Sequence, residues 1–552
     1  EVLPEFITLT ARDGRLSTAL SGREGRQLEQ ESLPLFLSRQ RWFAGKDRPI
    51  RSARLRPLGE LDDGLHMLAA CDVEFDDDVQ TYFLPLSAKW GEENIAFGSP
   101  TLSYTLAKLR RGPRVGALVD ATQDRDFAQL LLAGIAENAE IDVADGKVVH
   151  RRNAEAASFE RTGEPRPVAV EQSNVSIVFG DSVIMKVYRR LRSGPSPEVE
   201  MVRFLTNEGK FENMPTYLGA IEHHGEEGAT VLAVAFGFVR NQGDMWDSLL
   251  AALQRDFENA DMVGGEMATD TEEERPFAVD LSVGEIIGRR TAEMHRALAV
   301  PTEDQTFAAE ETTRQDLEKW VTAARAEVDE MLDALETTVP TLSGEASDFA
   351  EKLLGQRERL MSRLGDCLEM VPSGGRTRIH GDYHLGQLLV AQNDIYVIDF
   401  EGEPRRSIEE RREKTSPLRD VAGMLRSIDY VAAAAVRTVP ASSPGRGSQV
   451  RPRTAPPAMI ASCAAAPVHV SAAMAAAMAT VMRGASGVSV VAMPHTACAT
   501  TATATIFSPS SQAAPCRSPT ACTPNAKAAS ASADGSVKPS HAASAPGSPA
   551  RR

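Results

Sequence analysis

The stretch Arg378–Glu401, RIHGDYHLGQLLVAQNDIYVIDFE, decides the fold and organises the residues around it. Two apolar runs, Gln387–Val390 and Ile395–Ile398, flank the polar turn Gln392-Asn393-Asp394, the pattern of a β-hairpin. Pairing centred on Asn393 places Gln387 opposite Asp399, so their side chains meet at the open end, beside the loop that carries Asp382. One amide, one carboxylate suited to a hard cation and one candidate base are collected there. Phosphoryl transfer needs this set: an aspartate that orients the acceptor hydroxyl and takes its proton, and oxygen ligands that hold Mg2+ on ATP phosphates. A lone D-x4-Q is far better explained by a surface hairpin with polar ends. The His380-Gly381 ahead of it and the Ile398-Asp399-Phe400 after the turn favour the chemical reading.

Such a centre also needs a phosphate-gripping lysine on a strand and a glutamate on the next helix. Lys186 lies in the otherwise apolar run Val183–Tyr188, after Val175–Phe179 and the turn Gly180-Asp181. A lysine there is costly to bury unless paired. Ser196-Pro197-Glu198 reads as an N-cap followed by proline at the first helical position, so a helix starts there. That helix carries Glu200, the expected partner of Lys186; Glu198 is the alternative, better explained as complementing the helix dipole. No glycine-rich loop precedes Lys186, which leaves Gln172, Ser173 and Asn174 to cover the phosphates. Thr230–Val239 reads as a buried strand where a hinge between lobes belongs, with the backbone at Phe238 and Val239 facing adenine. His295, within the helical stretch Gly288–Leu298, reads as a core histidine rather than a catalytic one.

The 552 residues exceed one ordinary domain, and 42% apolar content is enough for a sizeable core. A net charge of -17 argues against a nucleic-acid-binding body, which needs clustered Lys and Arg. Glu1-Val2-Leu3-Pro4-Glu5 begins neither a basic-then-apolar leader nor a Met start. Strands dominate from Lys147 to Val239 and helices from Asp244 to Ala435, so the fold class is α+β: a bilobal, protein-kinase-like fold with an N-terminal α+β cap domain and a disordered or frameshifted C-terminal tail. The expected boundaries are 1–27 linker or fusion remnant, 28–110 cap, 111–243 intermediate region and N-lobe, 244–435 C-lobe and 436–552 tail. The tail holds ten Lys and Arg against the single acid Asp534, and one aromatic, Phe507. Three readings compete for it: a disordered Ala/Ser/Pro/Thr tail, a membrane segment over Pro456–Met482 that lacks the Leu, Ile and Phe of a true span, and out-of-frame translation of a GC-rich gene. Its vocabulary and abrupt onset near Asp429–Ala432 favour the last.

The chain resembles the maltokinase family, aminoglycoside-phosphotransferase-like kinases that make maltose 1-phosphate from maltose and ATP. The resemblance is carried by LPLFLSRQRWFAGKDRPI (Leu33–Ile50), EQSNVSIVFGDSVIMKVYRRL (Glu171–Leu191), FVRNQGDMWD (Phe238–Asp247), GRRTAEMHRAL (Gly288–Leu298), RIHGDYHLGQLL (Arg378–Leu389), VIDFEGEP (Val397–Pro404) and SPLRDVAGMLRSIDY (Ser416–Tyr430). Gln387 is the most discriminating position, since most kinases of the broader fold have Asn there, and Trp42-Phe43 matches the family's cap. The resemblance implies Asp382 as catalytic base, Gln387 and Asp399 as Mg2+ ligands with Glu401 adding to them, Lys186 on the phosphates with Glu200 beside it, and maltose bound near Asp382 and His384. It further implies glycogen-directed carbohydrate metabolism, a cytoplasmic place without a membrane span, and a covalent or functional link to trehalose synthase, whose fused end would account for 1–27. In that family aromatic-rich helices follow the Ser416–Tyr430 segment; here the tail stands in their place, which implies a sugar site lacking part of its walls. A kinase of another small hydroxylated acceptor, such as an aminoglycoside, and an inactive nucleotide-binding product stay open as alternatives.

Overall fold

A computed structural model describes residues 6–156, 163–168, 174–226, 228–262 and 281–438. Gln172, Ser173 and the tail readings from 439 onward lie outside the described residues.

The chain opens with β1 (Thr8–Thr10), α1 (Leu16–Leu20), α2 (Arg23–Gln27) and α3 (Leu33–Arg39). It continues into β2 (Ser52–Leu61), β3 (His66–Glu74), β4 (Val79–Phe83), β5 (Leu86–Trp90), β6 (Thr105–Arg111) and β7 (Arg114–Asp120). These strands form one sheet in the order β1-β6-β7-β5-β3-β2, with β4 on β3. Apolar residues from β1, the helices and the segment after α3 close it: Leu9, Leu16, Leu33, Phe36, Trp42 and Phe43 share one core. This corrects the expected linker, because residues 6–27 supply a strand parallel to β6 and two core leucines. The expected cap boundary at 110 likewise falls inside the β6–β7 hairpin, which a sheet cannot divide.

The second sheet follows α4 (Arg125–Glu137), whose N-cap is Asp124 accepting the Asp126 N–H at 3.1 Å. Its strands are β8 (Glu140–Val143), β9 (Gly146–Arg152), β10 (Pro165–Pro167), β11 (Asn174–Phe179), β12 (Val183–Tyr188), β13 (Tyr217–Gly225) and β14 (Gly228–Gly237). The order is β10-β11-β12-β14-β13-β9-β8. Strand periodicity decides the outcome at β12: Val183, Met185 and Val187 are buried against the α4 layer, so Ile184, Lys186 and Tyr188 share the opposite face. The first sheet is stitched to this strand's exit, where the Phe83 N–H donates to the Arg189 carbonyl (2.7 Å) and the Leu191 N–H to the Thr81 carbonyl (2.8 Å).

Helix α5 (Pro197–Asn207) starts as the sequence predicts, with the Ser196 hydroxyl accepting the Val199 N–H and Pro197 at the first position. The helical lobe contains α6 (Met245–Met262), α7 (Leu281–Ala297), α8 (Arg314–Thr338), α9 (Glu345–Leu354), α10 (Arg357–Asp366), α11 (Ile408–Arg412) and α12 (Leu418–Thr438). Short strands β15 (Glu310–Glu311) and β16 (Gly375–Arg376) pair with each other, as do β17 (Leu388–Ala391) and β18 (Asp394–Val397). Val199, Met201 and Phe204 of α5 share a core with Met294, Tyr383, Leu388, Phe400 and Met424, so this helix packs with the helical lobe. No described helix is long and apolar enough to cross a membrane.

Candidate functional site

The β17–β18 hairpin forms, but its register differs by one from the expected pairing. Leu388 faces Val397 and Ala391 faces Asp394, so the turn has two residues, Gln392 and Asn393, at φ 51° and 64°. Two left-handed residues make the tight turn that matches strand twist, which a turn centred on Asn393 does not. Gln387 therefore sits opposite Ile398, whose N–H it accepts at 3.0 Å. The side chains of Gln387 and Asp399 still meet, Nε2 donating to Oδ2 at 3.3 Å, because Asp399 itself turns left-handed at φ 64°. That conformation is strained for a non-glycine residue and swings the carboxylate back toward the hairpin mouth.

Opposite this mouth stands Lys186. Its Nζ lies 2.6 Å from Glu401, 2.8 Å from Asp399 and 3.1 Å from Glu198. Burial opposes the lysine charge, but Glu198, Glu401 and Asp399 outweigh it and hold the ammonium well above its ordinary range. Burial would also raise Asp399, yet Lys186 wins and keeps that carboxyl low. Glu198 is different: burial, reinforced by Glu401 and Asp399, pushes it up to about 8 despite Lys186. The Tyr188 hydroxyl donates to Glu198, and the Asn174 amide donates to Glu401 at 3.3 Å. Asp399 and Glu401 against one ammonium leave a local excess of negative charge even with Glu198 protonated, and Glu198, Asp399 and Glu401 bring oxygens within 4.8 Å of one another. Hard oxygen donors with excess negative charge fit a divalent cation such as Mg2+.

Glu200 is not the partner of Lys186. Residues 198 and 200 lie on different sides of α5, and only the first turns toward β12. Glu200 instead takes a two-pronged contact from Arg412 (2.7 and 2.8 Å) and a third from Arg378 (3.3 Å).

The loop carrying Asp382 is held from beneath by Asp420 in the first turn of α12. One Asp420 oxygen accepts the His380 N–H (2.9 Å) and lies 2.9 Å from His295 Nε2; the other accepts the Gly381 N–H (2.9 Å). Burial would raise Asp420, but these donors prevail and hold it below the ordinary carboxylate range. His380 Nε2 lies 2.9 Å from the Ile398 carbonyl and its ring packs on Phe400, joining the two loops. Gly381 runs at φ 84°, and a Cβ placed on it would lie 3.4 Å from the Gly402 Cα. Asp382 thereby projects, half-buried, from a fixed loop. His384 is anchored within the same loop, its Nδ1 accepting the Gly386 N–H at 3.1 Å, and burial lowers its basicity. His295 is buried, as expected, and supports Asp420.

At the expected hinge, the Phe238 N–H donates to the Ser182 carbonyl (2.9 Å) and the Val239 carbonyl accepts from Asn241 (2.9 Å). Those two groups are already used, which narrows what an adenine ring could contact there. The connection then runs along β17, with the Gln242 N–H donating to Val390 and the Val390 N–H to Gly243, both at 2.9 Å. Tyr188, Asp420, Arg378 and Arg412 were not assigned site roles from sequence, and Glu198 only as the alternative partner of Lys186. Tyr188 had a readable signal, two residues beyond Lys186 on the same strand face.

Residues 36–124 match the maltokinase N-terminal cap domain and residues 260–402 the phosphotransferase enzyme family. Two curated relatives are glucosamine kinases, from Mycolicibacterium smegmatis and Streptacidiphilus jiangxiensis. Each is 27% identical to this chain over 51% of its length, and the matches span 62% and 58% of those proteins. Among solved structures, a glucosamine kinase in complex with glucosamine, ADP and inorganic phosphate has a TM-score of 0.52 at 21% identity, covering 78% of this chain and 83% of that one. A second crystal form of a glucosamine kinase has the same TM-score and identity, with 80% and 85% coverage. Both share this fold.

Proposed function

Starting from a chain of maltokinase-type architecture, a cap ahead of a kinase-like phosphotransferase unit, we propose that it is an ATP-dependent sugar kinase. The observation that carries this reading is the convergence of Lys186, Asp399 and Gln387 at one hairpin mouth, beside an Asp382 loop fixed by Asp420.

In this reading Lys186 grips the nucleotide phosphates, with Glu198, rather than Glu200, setting its position. Asp382 accepts the proton of a sugar hydroxyl as the hydroxyl oxygen bonds to the γ-phosphorus. The bond from that phosphorus to the bridging oxygen breaks, and ADP leaves with the electron pair. Asp399, Gln387 and Glu401 would hold Mg2+, which neutralises charge on the phosphates when bound. Asn174 reaches the same site through Glu401. Ser173, next to it in the chain, belongs to the segment assigned to covering the phosphates. Phe238 and Val239 flank the adenine, and His384, held neutral by burial, hydrogen-bonds the sugar. A cytoplasmic place, where ATP is supplied, goes with this chemistry.

For the acceptor, the cap and the HLGQ motif favour maltose at its anomeric hydroxyl, feeding α-glucan synthesis from trehalose. The names of the curated relatives favour glucosamine as the second reading. A panel measuring ADP release with maltose, glucosamine, glucose, kanamycin and choline decides between them. Turnover on kanamycin or choline alone overturns the sugar reading, and turnover on glucosamine without maltose overturns the first acceptor.

A further inference from the structure

Ionic and packing contacts around α5 form a closed circuit. Glu198 reaches Lys186, which reaches Asp399 and Glu401. Gly402, next in the chain, packs under the Arg411 stem; a Cβ placed on that glycine would lie 3.4 Å from Arg411 Cβ and Cγ. Arg411 is fixed by donating to the Arg406 (3.0 Å) and Pro404 (2.7 Å) carbonyls. Its neighbour Arg412 returns to α5 through the two-pronged contact with Glu200. Glu200 also holds Arg378, two residues ahead of His380 and only 1% exposed, whose guanidinium lies over the Phe307 ring at 5.0 Å.

We infer that Glu200 is a positioning residue: through Arg412 and Arg378 it sets the metal loop and the Asp382 loop against the helix that carries Glu198. The two prongs reach different segments: Arg378 precedes the Asp382 loop, and Arg412 follows the Asp399–Glu401 segment. The lysine side of the circuit alone fixes only Asp399 and Glu401. Arg378 is too buried to find water, so Glu200 is its ionic partner among the described residues. Arg412 is 29% exposed and lies away from the reacting atoms, so it can be altered without opening the core. This role rests on the kinase reading for its effect on rate, but not for its effect on the loops.

The test uses Arg412→Gln, Glu200→Gln and the double variant, with Arg412→Lys as the conservative control. Hydrogen–deuterium exchange is followed over 197–207, 375–383 and 399–412, and steady-state rates are measured with the preferred sugar. A displacement on the order of 1 Å costs ~10²-fold in rate. Each single variant is therefore expected to lower kcat ~10–100-fold, with the sugar KM within about twofold. The double variant should be no slower than the worse single one, and exchange should rise together in all three segments. Arg412→Lys should recover part of the rate. Unchanged exchange in 375–383 and 399–412 overturns the inference, as do single losses that multiply in the double variant. If the parent turns over no sugar, the kinase reading falls, and the exchange measurement still decides the positioning role. Should Glu200→Gln fail to fold, Arg412→Gln carries the test alone.

Discussion

Replacing Asp420 by asparagine removes one acceptor oxygen at the point where α12 grips the loop before Asp382. In the parent, one oxygen serves His380 N–H and His295 Nε2, and the other serves Gly381 N–H, all at 2.9 Å. An asparagine oxygen kept on the His380 side turns its NH2 toward the Gly381 N–H. The opposite flip abandons two donors. Leaving one buried donor unmet costs about 1–3 kcal/mol, and losing the carboxylate weakens the retained bonds. Asp420→Asn is thus expected to cost about 2–4 kcal/mol, and Asp420→Ala somewhat more, since all three donors lose their partner. Urea unfolding at pH 7 measures this, and kcat should fall with it because the Asp382 loop is no longer pinned. The pH dependence follows from the low folded-state pKa of Asp420. Its stabilising contribution is present above the unfolded value of about 3.9 and lost as pH falls through the folded value. Parent and Asp420→Asn should therefore converge in stability below about pH 4. An Asp420→Asn protein within about 0.5 kcal/mol of the parent at pH 7, with unchanged kcat, refutes the reasoning.

Glu198 is displaced in the other direction, from 4.5 to about 8, so its contribution is present below the ordinary value and lost as pH rises toward 8. Glu198→Gln should then flatten the decline in melting temperature expected of the ligand-free parent between pH 5 and 8.5; equal slopes in the two proteins contradict the assignment. Arg189 and Asp120 form an ion pair at 2.6 Å between the cap and the exit of β12, with side chains 1% and 3% exposed. Arg189→Met strands a buried carboxylate and should cost about 3–5 kcal/mol, read by thermal unfolding, whereas Arg189→Met with Asp120→Leu should recover most of it.

The sequence made the centre legible because its residues are local: Asp382, Gln387 and Asp399 lie within one loop and hairpin, and Lys186 stands out in an otherwise apolar run. What it concealed was set by backbone details. The left-handed pair Gln392-Asn393 shifts the register by one, and the left-handed Asp399 restores the contact that the shift should have broken. Choosing Glu200 over Glu198 failed because helix entry angle, not propensity, decides which of two early glutamates faces β12. Asp420 was hidden for a similar reason: an aspartate in a first turn reads as a dipole partner, and its link to His380 and Gly381 spans some 40 residues. The start of the cap, with Leu9 and Leu16, is too short in each element to signal a fold until β6 supplies its partner strand.

Asp382→Asn tests the central claim most directly. It removes the proposed base while keeping side-chain size, on a half-buried residue outside the core. With the preferred sugar and saturating Mg–ATP, kcat should fall ~10²–10⁴-fold while the urea midpoint stays at the parent value. A variant that turns over within about threefold of the parent contradicts the account.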